Sequence, residues 1–487
     1  MILLNQVLIS IRKKIINSKF KHNKRFEIFL DSNYKNLDIE QNLLFKQFFY
    51  SRLINNEFNK KIIEAQKSKK KLFYPLPKAW SEIIENEGYK ISCINPLSLS
   101  ILKLKMIIKA LKTVLLSFPY KNEEKKDFIY VHNLNLNNSI KNNKFNFFKW
   151  ILNLINSDTK QVFVNRGSSK IIDEQYKISK KNIFRCESLV FFIKLLKFYF
   201  FFILKFFKND DVICLSNEII KLEILKNKSL LPKEVFFDHS EAIYKPIWTY
   251  YLESLNINCV VFFYSTNSLP IVLKESEAES IDNFVTHGWE LLNWGEYFIW
   301  NNYQKKFLDM FIKSQNYKTR ITGPIPYESI NQKITIKNKN IISVFDVTPF
   351  DPTFFSTLGL PYHYYSYEIV KKFYDDICKL NLKNDFQIIF KSKRINNNTD
   401  QRYKNYLQDL RKRHHFYDEV SVFELISESE KIICMPFTSP AVIAKEMGKN
   451  VIYYDPSENL KFLEKYDVFN HNINIFNNDE LQKWASQ

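Results

Sequence analysis

Glycine is scarce in this sequence, seven residues in 487, and those seven form neither a G-x-G-x-x-G fingerprint nor a Walker-type phosphate loop. Dinucleotide oxidoreductases and P-loop ATPases need such loops for close backbone approach to phosphate, so both are poor candidates. Cysteine is sparse too. Its six copies, Cys93, Cys186, Cys214, Cys259, Cys378 and Cys434, lie scattered, mostly in apolar runs and never as C-x-x-C. They read as buried thiols of a reducing compartment. Long apolar runs are missing as well: in the most hydrophobic stretch, Ser188 to Lys208, the longest uninterrupted run is Phe198 to Leu204, far short of the roughly 20 residues that cross a bilayer. The opening MILLNQVLISIRKKIINSKF puts its apolar residues ahead of its lysines, the reverse of an export signal, so none is expected. No His, Asp or Glu cluster has metal-ligand spacing, and His414-His415 falls in a charged, solvated turn; a metal-independent chemistry without cofactor is the expectation.

What is present begins with charge. The formal net charge is +19, which invites a nucleic-acid partner. The lysine and asparagine excess runs along the whole length, however, as an AT-rich coding sequence would produce. No arginine-rich tract, zinc-finger spacing or RNA-recognition signature accompanies it, so nucleic acid is not expected. Hydrophobic residues at 45% and aromatics at 16% suffice for two cores and exclude global disorder. The length favours two domains.

Two basic amphipathic stretches stand out. In SLVFFIKLLKFYFFFILKFFK, Lys194, Lys197, Lys205 and Lys208 share an arc of roughly 80° at about 100° per residue. From Leu99 to Phe118, Lys105, Lys109 and Lys112 share one face in the same way. Such helices suit a bilayer interface with anionic head groups; as core helices they would simply show their lysines to water.

The first 122 residues are helical in pattern and read as an appendage. From Asp127 strand-like runs alternate with helical ones: DFIYVHN, KQVFVNRG, DDVICLS, KEVFFDH, NCVVFFYS, DNFVTHG and EYFIWN, then the helix NYQKKFLDMFIKSQ and the breaker KTRITGPIP. A second series runs through NIISVFD, SYEIVKKFYDDICKL, DFQIIFKSKR, VFELISES, EKIICMPFTS, PAVIAKEMG and NVIYYDP. The grammar predicts an α/β fold of two Rossmann-like domains, 123–325 and 326–487, each with a largely parallel sheet. The closing DELQKWASQ predicts a helix that returns to the first domain.

In open α/β sheets, ligands sit beyond the carboxyl ends of the strands, where helix N-termini point. EKIICMPFTSPAVIAKEMGKNVIYYDP fits that geometry: a buried strand, then Pro436, Phe437 and Thr438, Ser439 as N-cap, Pro440 at the first helical position, and Gly448 as the stop. The helix start offers N–H groups and hydroxyls for a nucleotide phosphate, or it is an ordinary capped helix. Lys391, Lys393 and Arg394 follow a neighbouring strand and would neutralise a diphosphate. Asp346, Thr348 and Asp351 follow a third, and suit nucleoside or sugar hydroxyls.

The string PFTS at Pro436 to Ser439, with DHSEAIYKPIWTYYLES, VVFFYSTN, HGWELLNWGEYFIWN and TGPIPYE upstream, closely resembles the polysaccharide biosynthesis PFTS-motif proteins over roughly residues 230 to 460. The resemblance implies surface-carbohydrate synthesis by a glycosyltransferase of the B-type architecture, with the nucleotide-sugar donor in the C-terminal domain. It also implies a polysaccharide or lipid-linked oligosaccharide acceptor, and a cytoplasmic enzyme peripheral on the inner face of the cytoplasmic membrane. The C-terminal half is more loosely similar to sialyl- and Kdo-type transferases. Their phosphate-binding His-Pro is replaced here by Lys391-Ser392-Lys393-Arg394, which leaves the nucleotide open.

Sugar transfer needs a base for the acceptor hydroxyl, and the resemblance to two-domain transferases implies that it comes from the N-terminal domain. Asp238 and Glu241 follow a strand directly, and His287 precedes Gly288, whose freedom permits a tight turn and close approach of a ligand. Asp238 or His287 would act as base and Glu241 would orient it; Asp238 as a helix cap and His287 as a structural histidine are the alternatives. Trp289, Trp294 and Glu296 offer a sugar-stacking surface or core packing. Two further functions fit the same features: a glycerophosphate-type transferase using a CDP-alcohol, and a noncatalytic membrane-surface binding protein.

Overall fold

Apolar runs that are β-branched or aromatic on both alternating positions form strands buried on both faces, as parallel sheets require. The computed structural model describes residues 13–17, 23–53, 96–119, 127–135, 147–155, 161–166, 177–180, 182–238, 242–266, 271–273, 288–314, 316–325, 340–349, 364–382, 386–393, 395, 399–436, 438–462 and 472–487. Its first sheet contains β1 (Ile129–Asn135), β2 (Gln161–Arg166), β3 (Lys177–Lys180), β4 (Glu234–Asp238) and β5 (Asn258–Phe262). After β6 (Ile271–Leu273), which lies outside it, come β7 (Glu296–Ile299) and β8 (Lys318–Ile321). The spatial order is β3-β2-β1-β4-β5-β7-β8, and every pairing is parallel.

The second sheet contains β9 (Asn340–Phe345), β10 (Phe386–Lys391), β11 (His415–Phe416), β12 (Lys431–Cys434) and β13 (Asn450–Tyr454). After β14 (Leu460–Phe462), β15 (Ile475–Phe476) completes it. The order is β11-β10-β9-β12-β13-β15, again wholly parallel. In both sheets the strand order reverses beside the first strand, so the topological switch points lie between β1 and β4 and between β9 and β12. The expected fold of two Rossmann-like α/β units is therefore present.

Helices cover these sheets. With the first go α1 (Lys24–Asn33), α2 (Gln41–Leu53), α3 (Pro96–Leu116), α4 (Phe147–Leu154), α5 (Leu189–Phe206), α6 (Asp210–Cys214), α7 (Ser216–Lys226), α8 (Ile247–Ser254) and α9 (Asn302–Phe311). With the second go α10 (Tyr367–Ile377), α11 (Gln401–Arg411), α12 (Val422–Ser427), α13 (Ser439–Glu446) and α14 (Asn478–Ser486). Strand alternation sorts the core: Ile129, Val131, Val162, Val164, Phe236 and Phe262 pack on one face with Ile151 and Leu152 of α4. Tyr130, Phe163, Val235 and Phe237 face the larger core that holds α1, α2, α5 and α7.

Four expectations need correction. The run DDVICLS is helix α6, not a strand; Asp210 and Asp211 occupy its first turn, where carboxylates favour the helix dipole, and Asp210 pairs with Lys103 at 2.6 Å. KTRI is edge strand β8, hidden from pattern reading because it is polar and largely exposed, as edge strands often are. The described N-terminal helices are not an appendage: Phe26 and Phe29 pack edge-on against Phe206, and the buried Gln47 donates to the Leu291 carbonyl at 2.7 Å. Finally, α14 stays with its own sheet, where Lys431 donates to the Trp484 carbonyl at 3.1 Å and the Trp484 indole donates to Asn450 at 3.1 Å.

Chain segments leaving β5 and β13 meet, β6 pairing antiparallel with β14 through Leu273↔Leu460 and Ile271↔Phe462. Asn301, just past β7, donates to Glu446 at the end of α13 at 2.9 Å, and Asn472 reaches Tyr303 at 3.4 Å. The carboxyl edge of the first sheet is thus tied to the second unit.

Candidate functional site

The three strand ends singled out by sequence are neighbours. Phe345 pairs with Lys391 on one side and with Cys434 on the other, a row that straddles the switch point of the second sheet. With strands about 4.8 Å apart, the segments that leave β10 and β12 flank the exit of β9 within ~10 Å of each other.

Asp346 is the centre of that exit, and it is buried at 4% exposure. One carboxylate oxygen accepts from the Tyr374 hydroxyl at 2.9 Å and from the Tyr403 hydroxyl. The other accepts from the Lys393 backbone N–H at 2.6 Å. Burial raises its pKa, opposed by those hydrogen bonds and by the Lys393 charge. Asp346 and Thr348, expected to meet nucleoside or sugar hydroxyls, are both buried. Asp346 fastens the β10 exit to β9 instead, because a carboxylate flanked by three donors is satisfied by the protein itself.

The basic residues divide. Lys391 turns away along the sheet edge and donates to the Asp418 carbonyl at 2.6 Å. Ser392 is clamped by Asp418 through its N–H and hydroxyl, both 2.9 Å, with Arg411 closing the set. Lys393 is different: its side chain is exposed, yet enough protein surrounds its amine that desolvation lowers the pKa, opposed by Asp346. An anion placed there would meet a cation at the end of β10, one strand across β9 from the strand that leads into α13.

That N-terminus belongs to α13. Met435 donates to the Phe345 carbonyl at 2.8 Å, which holds the turn against β9. The Pro436 carbonyl accepts from Tyr365 at 2.9 Å, and the neighbouring Tyr364 donates to Asp455 at 2.8 Å. The cap falls one residue earlier than expected, on Thr438, whose hydroxyl makes no capping bond. It donates instead to the Met435 carbonyl at 2.8 Å. Ser439, half-buried, is the first helical residue, with Pro440 beside it. Thr438 makes no side-chain cap, Pro440 carries no N–H, and the Ala441 N–H donates to the Thr438 carbonyl at 3.3 Å, so what the start of α13 offers an anion is the Ser439 N–H and the positive end of the helix dipole. Gly448, at φ +70°, ends the helix as expected.

Across at the first sheet, Asp238 is half-buried at the carboxyl end of β4, beside that sheet's switch point. Sequence reading passed over His132, opposite Phe237 in register. Its Nδ1 lies 3.2 Å from the Tyr130 hydroxyl, and its ring packs against Phe237 and Trp248. The available signal was its place next to last in the strand-like run DFIYVHN. Glu241, His287, Arg394 and Phe437 lie outside the described residues.

The aromatic blocks are structural. Trp289 and Trp294 are buried, the Trp294 indole donating to the Ala242 carbonyl at 2.6 Å. The buried Lys245 pairs with Glu253 at 2.6 Å beneath the Tyr250 ring, 4.3 Å from its centroid. Gly288 does sit at a left-handed φ of +88°, but the close approach is made by Tyr50 of α2: a Cβ there would meet its ring at 2.5 Å. Glu296 lies at the start of β7, on the amino edge and away from these strand ends.

Among solved structures, similar folds include the glycotransferase of kitacinnamycin (6% identity over 74% of this chain and 90% of that one, TM-score 0.38). MurG of Acinetobacter baumannii (9%, 74% and 89%, 0.33) and a UDP-glucose: anthocyanidin 3-O-glucosyltransferase in complex with UDP (9%, 74% and 89%, 0.37) are similar to the same extent. At this level of likeness they bear on neither substrate nor reaction. Comparison with curated proteins finds no match. The model of the polysaccharide biosynthesis PFTS motif proteins matches residues 201–485, more than half of the chain and the whole of the second sheet with its PFTS turn. The chain belongs to the polysaccharide biosynthesis PFTS motif protein family.

Proposed function

We propose that this protein is a glycosyltransferase that moves a sugar from a nucleotide-activated donor to a growing, lipid-linked surface polysaccharide. The observation that carries the reading is the convergence of three strand ends in one row: Asp346 leaving β9, the exposed Lys393 whose N–H Asp346 holds after β10, and the turn from β12 into α13. This set lies at the switch point of a doubly wound sheet, the place where such folds bind phosphorylated ligands. Family membership supplies the carbohydrate context.

In the reaction, the bond between the anomeric carbon and the donor's phosphate oxygen breaks, and a bond from that carbon to the acceptor oxygen forms. The departing phosphate takes the electron pair. Lys393, the Ser439 N–H and hydroxyl and the positive end of the α13 dipole stabilise that charge without a metal; Arg394 follows Lys393 and Phe437 precedes Thr438 in sequence. The acceptor's proton passes to a base on the carboxyl edge of the first sheet, Asp238, with Glu241, His287 and His132 as neighbours in sequence or register. The tie between β6 and β14 supports an acceptor approach from that edge.

Product analysis tests the proposal. Membranes of the native host, a panel of radiolabelled nucleotide sugars and the purified protein should yield a glycosidic product. A phosphodiester product from a CDP-alcohol would assign a glycerophosphate-type transferase instead. Turnover with neither donor class, together with no nucleotide binding, would leave a noncatalytic surface-binding protein.

A further inference from the structure

Among the described residues, no helix is long and apolar enough to cross a membrane. Two of them, α3 and α5, nonetheless leave large apolar side chains in water: Leu204 is 81% exposed, Phe200 and Phe201 56%, and Leu104 55%. The helices lie antiparallel over their whole length. Phe118 stacks edge-on with Phe192 at 5.1 Å, Tyr199 donates to the Ile107 carbonyl at 3.2 Å, and the Lys103 amine sits 5.5 Å over the Phe207 ring.

At about 100° per residue, the exposed surface of α5 divides into two adjoining arcs. Leu189, Ile193, Phe200, Leu204 and Phe207 occupy ~60° on the flank that also holds its contacts with α3. Lys194, Lys197, Lys205 and Lys208 occupy the next ~80°, toward α1, where Phe202 packs on Phe29; Val190 and Phe201 fall among them. On α3, Ile101, Leu104, Ile108 and Leu115 share ~60° on the flank toward α5. Lys105, Lys109 and Lys112 take the next ~60°, toward α7, where Thr113 bonds Asn217 at 2.6 Å. Both helices place lysines on the same rotational side of their apolar arc, and they run in opposite directions. The apolar arcs therefore adjoin, and the two lysine rows form the outer margins.

From this arrangement we infer that α3 and α5 together form a docking face for an anionic lipid bilayer, the central apolar strip entering the head-group boundary and the lysine rows contacting lipid phosphates. Charge selects this occupant. Neither helix carries an acidic residue, so a second copy of the same face would set lysine rows against lysine rows. A bilayer supplies apolar depth and negative charge at once. The face neither includes nor depends on the nucleotide site, so it stands or falls separately from the proposed transferase activity.

Flotation of the full-length protein with vesicles tests it. The protein should float with mixed phosphatidylcholine and phosphatidylglycerol vesicles, and at least tenfold less with pure phosphatidylcholine. The variant Lys105→Glu/Lys109→Glu/Lys194→Glu/Lys197→Glu should weaken partition by ~100-fold or more. Phe200→Asp/Leu204→Asp should also abolish flotation, with an unchanged melting temperature in both cases because all six positions are exposed. Lack of flotation by the wild-type protein would overturn the inference. So would equal flotation of the variants, or Phe200→Asp/Leu204→Asp converting a dimer to a monomer while leaving flotation intact.

Discussion

Replacing Asp346 by alanine should damage stability, and through it the position of Lys393, far more than replacing Lys393 itself. The substitution removes one acceptor group from three donors at once: the Tyr374 and Tyr403 hydroxyls and the Lys393 N–H. Both tyrosines are buried, so no water readily replaces the carboxylate. Each buried donor left unmade costs ~1–3 kcal/mol, and because the three share a partner their sum is about 4 kcal/mol. For a unit of this size that corresponds to a fall in melting temperature of about 10 °C. Asp346→Asn keeps an oxygen for the tyrosines but presents an amide donor to the Lys393 N–H, so a loss of about 2 kcal/mol is expected. Lys393→Ala removes an exposed side chain and should shift the melt by under ~0.5 kcal/mol. Scanning calorimetry of the three variants reads all of this directly. An unshifted melt for Asp346→Ala, or a Lys393→Ala variant as unstable as Asp346→Ala, would refute the assignment of Asp346 as the group that fixes the β10 exit.

Two further perturbations concern the first sheet. Gly288→Ala combines a left-handed φ with a Cβ 2.5 Å from the Tyr50 ring and should cost about 3 kcal/mol in urea denaturation; adding Tyr50→Ala should relieve the clash, giving a coupling of favourable sign in the double-mutant cycle. Glu234, at the amino end of β4, has its pKa raised from 4.5 to about 7 by burial and by Glu296, against Arg320 and Asn258. Its folded-state pKa is the higher one, so folding takes up a proton between those values. The contribution of Glu234 to stability is fullest below pH 4.5 and is lost as pH rises through 7, by on the order of 2 kcal/mol after allowance for partial exposure. Glu234→Gln should flatten that slope and melt higher than wild type at pH 8; a slope unchanged by the substitution contradicts it.

Both sheets were readable because parallel strands buried on two faces must be written as continuous apolar runs: VFF of β4, VVF of β5 and IIC of β12 have no polar side to hide. The two exceptions have separate causes. Strand β8 is an exposed edge with nothing to bury, and α6 is too short for its period to be counted, so its Val212-Ile213-Cys214 core reads as a strand. At the site, the three converging strand ends and the glycine stop of α13 followed from residue order alone. The division of labour among the polar groups did not. Asp346 and Lys391 are each followed in sequence by plausible ligands, but Tyr374 and Tyr403 arrive from helices α10 and α11, and the Asp418 carbonyl from beyond β11. Those partners become visible only when the elements pack. The same holds for Tyr50, which comes from a helix over two hundred residues upstream to fill the space over Gly288, and for the adjoining apolar arcs of α3 and α5, whose helical wheels separately could not say which flank faced which.

The central claim is that Lys393 and the start of α13 receive a nucleotide's phosphates. Isothermal titration of the full-length protein with nucleoside mono- and diphosphates tests it most directly. At least one nucleotide should bind the wild type, with affinity reduced tenfold or more in Lys393→Ala while Lys391→Ala, whose amine already faces the Asp418 carbonyl, binds within about twofold of wild type. Binding that ignores Lys393→Ala, or an absence of heat with every nucleotide tried, would contradict the account.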